Sequence, residues 1–345
     1  YFTGDPALYS YARGYYSGAQ ALTAARGPAP AFVRTPLRPA TDATVEVDVR
    51  DLVRFLEHSP RHFAQRRLLV SLGRDTEPIE NREPLQLDAL STWEVGDRIL
   101  GLLDAGCDVP RAYEVLRASG VLPLGAPGRT SYAGIVPEVE AIAARARALR
   151  ASGRLAPLEI EHTIGDVRLV GVVEDLFAGR GQVRVQFSRL RRRSELTCWV
   201  NHLLLQCCAP ADHPRDARLV GRSPGDRIDE IELRYRPVRH PEQHLADLLE
   251  LYRLGATRPL PLFPKTSRVY AEALASRKTP EDALDRARRA HRDEFKGRGD
   301  SFDAYNQLAF AGTDALDGDA DDETSFQAIA VRVFRPLLDH REALP

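Results

Sequence analysis

Hydrophobic and polar positions alternate in Arg180-Gly-Gln-Val-Arg-Val-Gln-Phe-Ser188, with Val183, Val185 and Phe187 on one side and Arg184, Gln186 and Ser188 on the other. A period of two predicts a half-buried strand whose apolar side seals a core. Upstream, Val167-Arg-Leu-Val-Gly-Val-Val-Glu-Asp-Leu-Phe177 is dense in β-branched residues. It predicts a strand over Leu169–Phe177, joined to the next through Ala178-Gly179-Arg180-Gly181, a connection of hairpin length. From Ser194 to Cys208, the positions Leu196, Trp199, Val200, Leu203, Leu204 and Cys207 follow the three-and-four spacing of a helix lying on a sheet. The local order is therefore strand, strand, helix.

Around this unit the chain patterns as α/β. Pro6 to Arg26 predicts a helix, followed by an extended linker through Pro28, Pro30, Pro36 and Pro39, because proline removes a donor and disfavours the α region before it. Two short helices broken at Pro60 are expected over 51–69, then helices over 93–104, 110–118 and 136–152. Leu158–His162 opens the sheet and turns at Ile164-Gly165-Asp166; strands at Arg218–Gly221 and Ile228–Tyr235 complete one mixed sheet of about five. Helices are predicted over 241–255, 266–277, 280–296, 301–310 and 325–342, with an acidic loop over 313–323. Three parts follow: an arm over 1–44, a helical part over 45–155 and an α/β core over 156–345.

The strand–strand–helix unit resembles the heart of the RecB-type PD-(D/E)XK nucleases. Gly171-Val-Val-Glu174 stands for that family's Gly-x-x-Asp, Gln186-Phe-Ser188 for its Asp-x-Lys, and Trp199-Val-Asn-His-Leu203 for its Gln-x-x-x-Tyr. Only one carboxylate survives in this frame. Metal-assisted phosphodiester hydrolysis needs clustered acids for the cation and, in this family, a lysine for the attacking water. Gln186 is a weak neutral ligand and Ser188 has no charge, so Glu174, Gln186 and Ser188 are expected to be relics.

Leu52-Val-Arg-Phe-Leu-Glu-His-Ser-Pro-Arg-His-Phe63, Arg168-Leu-Val-Gly171, Trp199-Val-Asn-His-Leu-Leu-Leu205, Phe263-Pro-Lys-Thr-Ser267 and Val333-Phe-Arg-Pro-Leu-Leu338 together resemble the C-terminal region of RecC, the gamma subunit of exodeoxyribonuclease V. The resemblance implies a restriction-endonuclease-like sheet flanked by helices, without catalysis or cofactor. It implies RecB and RecD as partners, a duplex DNA end and its separated strands as the object handled, and recombinational repair in the cytoplasm. The helicase-like domains expected upstream in a RecC are missing, and the chain starts at Tyr1 without a methionine, as an excised fragment would.

Net charge is −1, which excludes a uniformly basic nucleic-acid binder and leaves local patches. Between Arg180 and Arg193 lie Arg180, Arg184, Arg189, Arg191, Arg192 and Arg193 and no acid, a candidate surface for phosphate or for an acidic partner. Only three of the 48 basic residues are lysine, so a solvated face of an arginine-rich chain is the competing explanation. An active nuclease would have to draw on Glu174, Asp175 and Glu294-Phe-Lys296, but Pro280 and the acidic turn after it place the last three on a helix. A third alternative is an interaction module without DNA contact.

Several other spacings lack what their chemistry needs. Gly221-Arg-Ser-Pro-Gly225 has proline where a nucleophile elbow needs an N–H, and Pro264-Lys265-Thr266 has proline where a phosphate loop needs glycine. Cys198 and His202 sit among core leucines, His58 and His62 flank Pro60, and Asp317, Asp319 and Asp321 are followed by neither the glycine nor the glutamate of a calcium loop. No metal is expected at any of these.

Overall fold

A computed structural model describes residues 13–24, 32–39, 45–73, 86–190, 192–222, 230–293, 299–318 and 322–344. In chain order the first half gives α1 (Arg13–Thr23), β1 (Val45–Asp48), α2 (Val49–Glu57), α3 (Ser59–His62) with a π turn over Phe63–Arg67, α4 (Ala89–Asp104), α5 (Val109–Ala118) and α6 (Ala126–Arg150). The centre gives β2 (Leu158–Ile164), β3 (Val167–Val173), β4 (Leu176–Phe177), β5 (Gly181–Arg189), α7 (Arg192–Cys208), β6 (Ala217–Arg222) and β7 (Glu230–Tyr235). After it come α8 (Pro241–Gly255), α9 (Pro264–Ala275), α10 (Pro280–His291), α11 (Ala304–Ala309), α12 (Phe326–His340) and β8 (Arg341–Leu344).

Helix starts follow capping chemistry. Asp48, Asp88, Asp108 and Ser325 each accept a backbone N–H in the first turn of α2, α4, α5 and α12. Proline occupies the first turn of α8, α9 and α10. Pro60 opens α3 rather than merely breaking a helix, and α6 runs from Ala126 rather than from 136, carrying Pro137 inside it.

The single mixed sheet expected from the sequence is two sheets. One has the order β1-β3-β2 and the other β4-β5-β6-β7-β8. The cause lies at Glu174-Asp175, where Asp175 adopts a left-handed backbone (φ 59) and rotates the chain out of the first sheet. The long hairpin predicted between Leu169–Phe177 and Gln182–Ser188 therefore shrinks to Leu176↔Gln182 and Phe177↔Gly181. Beyond that pairing β5 runs parallel to β6. Gly181 is forced at the turn: its φ is 76, and a Cβ there would meet the Asp216 carbonyl oxygen at 2.0 Å.

Helices cover both faces of the larger sheet. Val183, Phe187 and Val220 share one core with α4, α5 and α6. On the other face, Leu219, Leu233 and Tyr235 join α2, α7, α8, α12 and the smaller sheet in a second core, with Trp199, Leu203 and Phe55 at full burial. A third cluster joins α9, α10 and α12 around Phe263, Tyr270 and Phe326. Buried ion groups tie these layers. Glu232 on β7, almost fully buried, accepts from Arg218 at 2.6 Å and from Arg145 of α6 at 2.9 Å. Among the described residues no helix is long and apolar enough to cross a membrane.

Candidate functional site

The alternation of β5 sends Val183 and Phe187 into the α4–α6 core and leaves Gln182, Arg184, Gln186 and Ser188 on the side where α7 lies. Uncharged hydrogen bonds occupy most of that side. Asn201 Nδ2 donates to Gln182 Oε1 at 3.1 Å, Gln182 Nε2 to the Glu174 carbonyl at 2.9 Å, and Gln186 Nε2 to Ser194 Oγ at 3.1 Å. A divalent cation needs oxygen donors carrying negative charge, and this amide row offers none. Glu174 is exposed in the connection between β3 and β4, and no described contact joins its carboxylate to Gln186 or Ser188. Its neighbour Asp175 pairs with Arg154 at 3.0 Å.

The described arginines of the run are spread along β5 and the start of α7. Arg180 is exposed at the β4–β5 turn, and the nine residues of β5 put roughly 26 Å between it and the other end of the strand. Arg189 lies opposite Arg222 at the close of β5. Arg191 lies outside the described residues, as does the side chain of Arg192. Arg184 and Arg193 both act electrostatically on a carboxylate that sequence spacing did not single out. Glu57, at the end of α2, is half-buried; burial pushes its carboxyl upward against the opposing pull of Arg193, Arg184, Arg54 and Arg61.

None of the four guanidiniums closes a described ion pair with Glu57. Arg54 is held by Asp51 at 3.1 Å, and Arg61 by Asp303 at 3.3 Å and by the Tyr305 ring at 5.3 Å. Arg184 on β5 and Arg193 at the start of α7 have no described acidic partner within ion-pair distance, so both guanidiniums are uncommitted among the described residues. Such an arrangement suits a phosphate and repels a metal ion. Among the described residues no group of three His, Cys, Asp or Glu side chains is placed to hold a metal.

The other described candidates from the sequence are held by packing and hydrogen bonds. Cys198 is fully buried, and burial pushes its thiol up to about 12. His202 Nε2 meets the Arg236 carbonyl at 3.0 Å, and burial lowers its pKa to about 4. His58 Nδ1 accepts the Arg61 N–H, its Nε2 lies 3.0 Å from Asp303, and His62 packs on Phe55 and Tyr252. In Pro264-Lys265-Thr266, the Thr266 N–H and hydroxyl both donate to Asp300 and Lys265 pairs with Asp293 at 3.3 Å, which makes the motif a helix start tied to the segment after α10. Ser223–Gly225, Glu294–Lys296, Asp319 and Asp321 lie outside the described residues. Sequence spacing also gives no sign of Glu195. It is buried at the start of α7 between Arg268 at 2.6 Å and Arg341 at 3.3 Å, partners 73 and 146 residues away that no local pattern announces.

The sequence profile of the RecC C-terminal domain matches residues 44–275, a span that runs from β1 through α9 and contains Glu57, Arg184 and Arg193. The chain belongs to the RecC C-terminal domain family. The RecBCD enzyme subunit RecC of Mycobacterium tuberculosis is 30% identical over 350 residues, covering 98% of this chain and 30% of that protein. The RecC of Mycolicibacterium smegmatis is 32% identical over 256 residues, 74% of this chain and 23% of that protein. That of Escherichia coli is 29% identical over 222 residues, 64% and 19%. The chain thus spans under a third of the length of these RecC relatives.

Proposed function

We propose that this RecC-type domain is a non-catalytic DNA-handling module of a RecBCD-type helicase and nuclease assembly. It packs with RecB and RecD, receives a duplex end and helps guide the separated strands during recombinational repair. Its core over 156–345 is a restriction-endonuclease-like fold that has lost its chemistry, buttressed by the helical part over 45–155 and preceded by an arm over 1–44. One observation carries this reading. On the strand where a RecB-type nuclease bears acid and lysine, the Gln186 amide is bound to the Ser194 hydroxyl, and the charged side chains nearby on β5 and at the start of α7 are the guanidiniums of Arg184 and Arg193. Fixed cations of this kind neutralise phosphate without activating water.

The direct test is incubation of the purified chain with single- and double-stranded DNA in magnesium or manganese. No cleavage is expected. Cleavage that disappears in Glu174→Ala would overturn the reading, whereas cleavage indifferent to that change marks a contaminating nuclease.

A further inference from the structure

Away from Arg184 and Arg193, the end of β7, the loop into α8 and the last turn of α12 enclose an open groove of about 770 Å³. Its walls carry Arg234, Arg236 and Arg239 together with His240, His244 and His340. Two acids line it, and both are committed. Glu342 faces Arg234 at 3.0 Å and Arg236 at 3.6 Å, and Asp339 is held by Arg335 at 2.8 Å. Arg236 is also fixed by its bond to the Asp339 carbonyl oxygen, while Arg239 is exposed with no acid at ion-pair distance among the described residues. The groove is therefore cationic even with every imidazole neutral.

The imidazoles are built in rather than loose. His244 and His340 lie 6.3 Å apart and rest on the buried Trp199 ring at 6.2 and 5.6 Å. His340 Nδ1 lies 2.8 Å from the Pro336 carbonyl, which can only accept, so Nδ1 carries the proton and Nε2 is left for a ligand. His240 stands exposed at the N-cap of α8 with no side-chain cap bond.

We propose that this groove binds the phosphate of a nucleotide, with Arg236 and Arg239 on the phosphate and the paired imidazoles against the sugar or base. Arginine forks match phosphate oxygens in pairs, and flat rings beside them suit a nucleoside better than a flexible acidic side chain. The volume is within the range of about 300–1,000 Å³ usual for small-molecule sites, larger than a lone phosphate requires. Two sources share this chemistry, a DNA strand and a free nucleotide. The proposal rests on the DNA-handling reading only for the choice between them.

The test is fluorescence polarisation of a short labelled thymidine oligonucleotide with the whole chain, in parallel for Arg236→Gln/Arg239→Gln and for Arg184→Gln/Arg193→Gln. The groove variant is expected to bind at least about tenfold more weakly. Its dependence of log K on log salt should flatten by about 1.4, at roughly 0.7 for each single-strand phosphate no longer neutralised. Displacement by ATP as readily as by unlabelled oligonucleotide identifies a free nucleotide as the source; displacement by oligonucleotide alone identifies a strand. Equal affinity and slope in parent and groove variant overturn the proposal, as does displacement by polyglutamate at the oligonucleotide's own concentration. If the Arg184/Arg193 variant loses binding while the groove variant does not, the groove falls and the DNA-handling reading stands. Should the double variant unfold, Arg239→Gln alone gives the same readout from an exposed, unpaired side chain.

Discussion

Gly96 of α4 lies so close to the Phe187 ring of β5 that a Cβ at position 96 would come within 1.9 Å of two ring carbons. The absence of a side chain there lets the α4–α6 layer settle on the strand. In an exposed helix, glycine to alanine would gain about 1 kcal/mol of propensity. Here the clash decides the sign, because Phe187 is fully buried in a packed core. Gly96→Ala is expected to destabilise by about 1–3 kcal/mol in denaturant titration, and Phe187→Leu in the same chain should recover part of the loss. A stabilised Gly96→Ala would mean that α4 stands farther from β5.

Glu195 links three elements distant in sequence through Arg268 of α9, Arg341 of β8 and, by its carbonyl, the Tyr235 hydroxyl of β7. Removing one member of a buried charge group strands the others without water. Glu195→Ala should therefore cost about 3–5 kcal/mol, more than Arg341→Ala, whose guanidinium keeps more solvent contact. Chemical unfolding of both variants gives the comparison, and equal small losses would show that water reaches the cluster.

One buried histidine, His202, and one half-buried histidine, His62, set an acid limit. Burial lowers His62 and His202 from 6.5 to about 4, because each would carry its proton in a place with little water. The unfolded chain then binds more protons than the folded one between those values. Stability is full above about pH 6.5 and falls as pH drops towards 4, by roughly 1.4 kcal/mol per pH unit for each histidine. Urea midpoints across this range should fall with acidity, and His62→Phe should lessen the slope. A flat profile would mean that neither ring is buried neutral. Asp303 adds nothing in that window. Burial opposes its ionisation, but the bond from His58 and the N–H groups of Tyr305 and Asn306 hold it down to about 2, so its contribution disappears only below pH 3.8.

Periodicity and capping were legible in the sequence. The alternation of β5 appears in the structure as patterned, and α8 begins and ends where Pro241 and the leucine spacing place it; α7 forms where its apolar spacing predicts, but it is buried on every face from Cys198 to Leu205 rather than along one stripe. Edges and rotations were not. β1 and β8 are four-residue strands too short to carry a period, and each depends on a strand far along the chain. The break at Asp175 rests on a left-handed backbone at a residue other than glycine, which composition does not reveal. At the site, the uncharged character of Gln186 and Ser188 on β5 was readable residue by residue. The electrostatic meeting of Glu57 with Arg184 and Arg193 was not, because α2 lies far along the chain from β5 and α7.

That meeting yields the last prediction. If Arg184 and Arg193 hold duplex phosphates, Arg184→Ala/Arg193→Ala should weaken binding alike for every sequence and flatten the salt dependence by about 1.8, at roughly 0.9 for each duplex phosphate released. Glu57 works against them, so Glu57→Gln should tighten binding several-fold at neutral pH by removing one repelling charge. Because burial raises the Glu57 pKa, its carboxyl takes up a proton before the surrounding acids: Asp51 is lowered by Arg66 and Arg54, and Asp303 is held at about 2. DNA affinity of the parent should therefore rise as pH falls through the Glu57 pKa, and the rise should be smaller in Glu57→Gln, whose charge is already gone. Polarisation titrations at two pH values and two salt concentrations separate these effects. Identical pH dependence in parent and Glu57→Gln would show that Glu57 does not lie beside bound DNA.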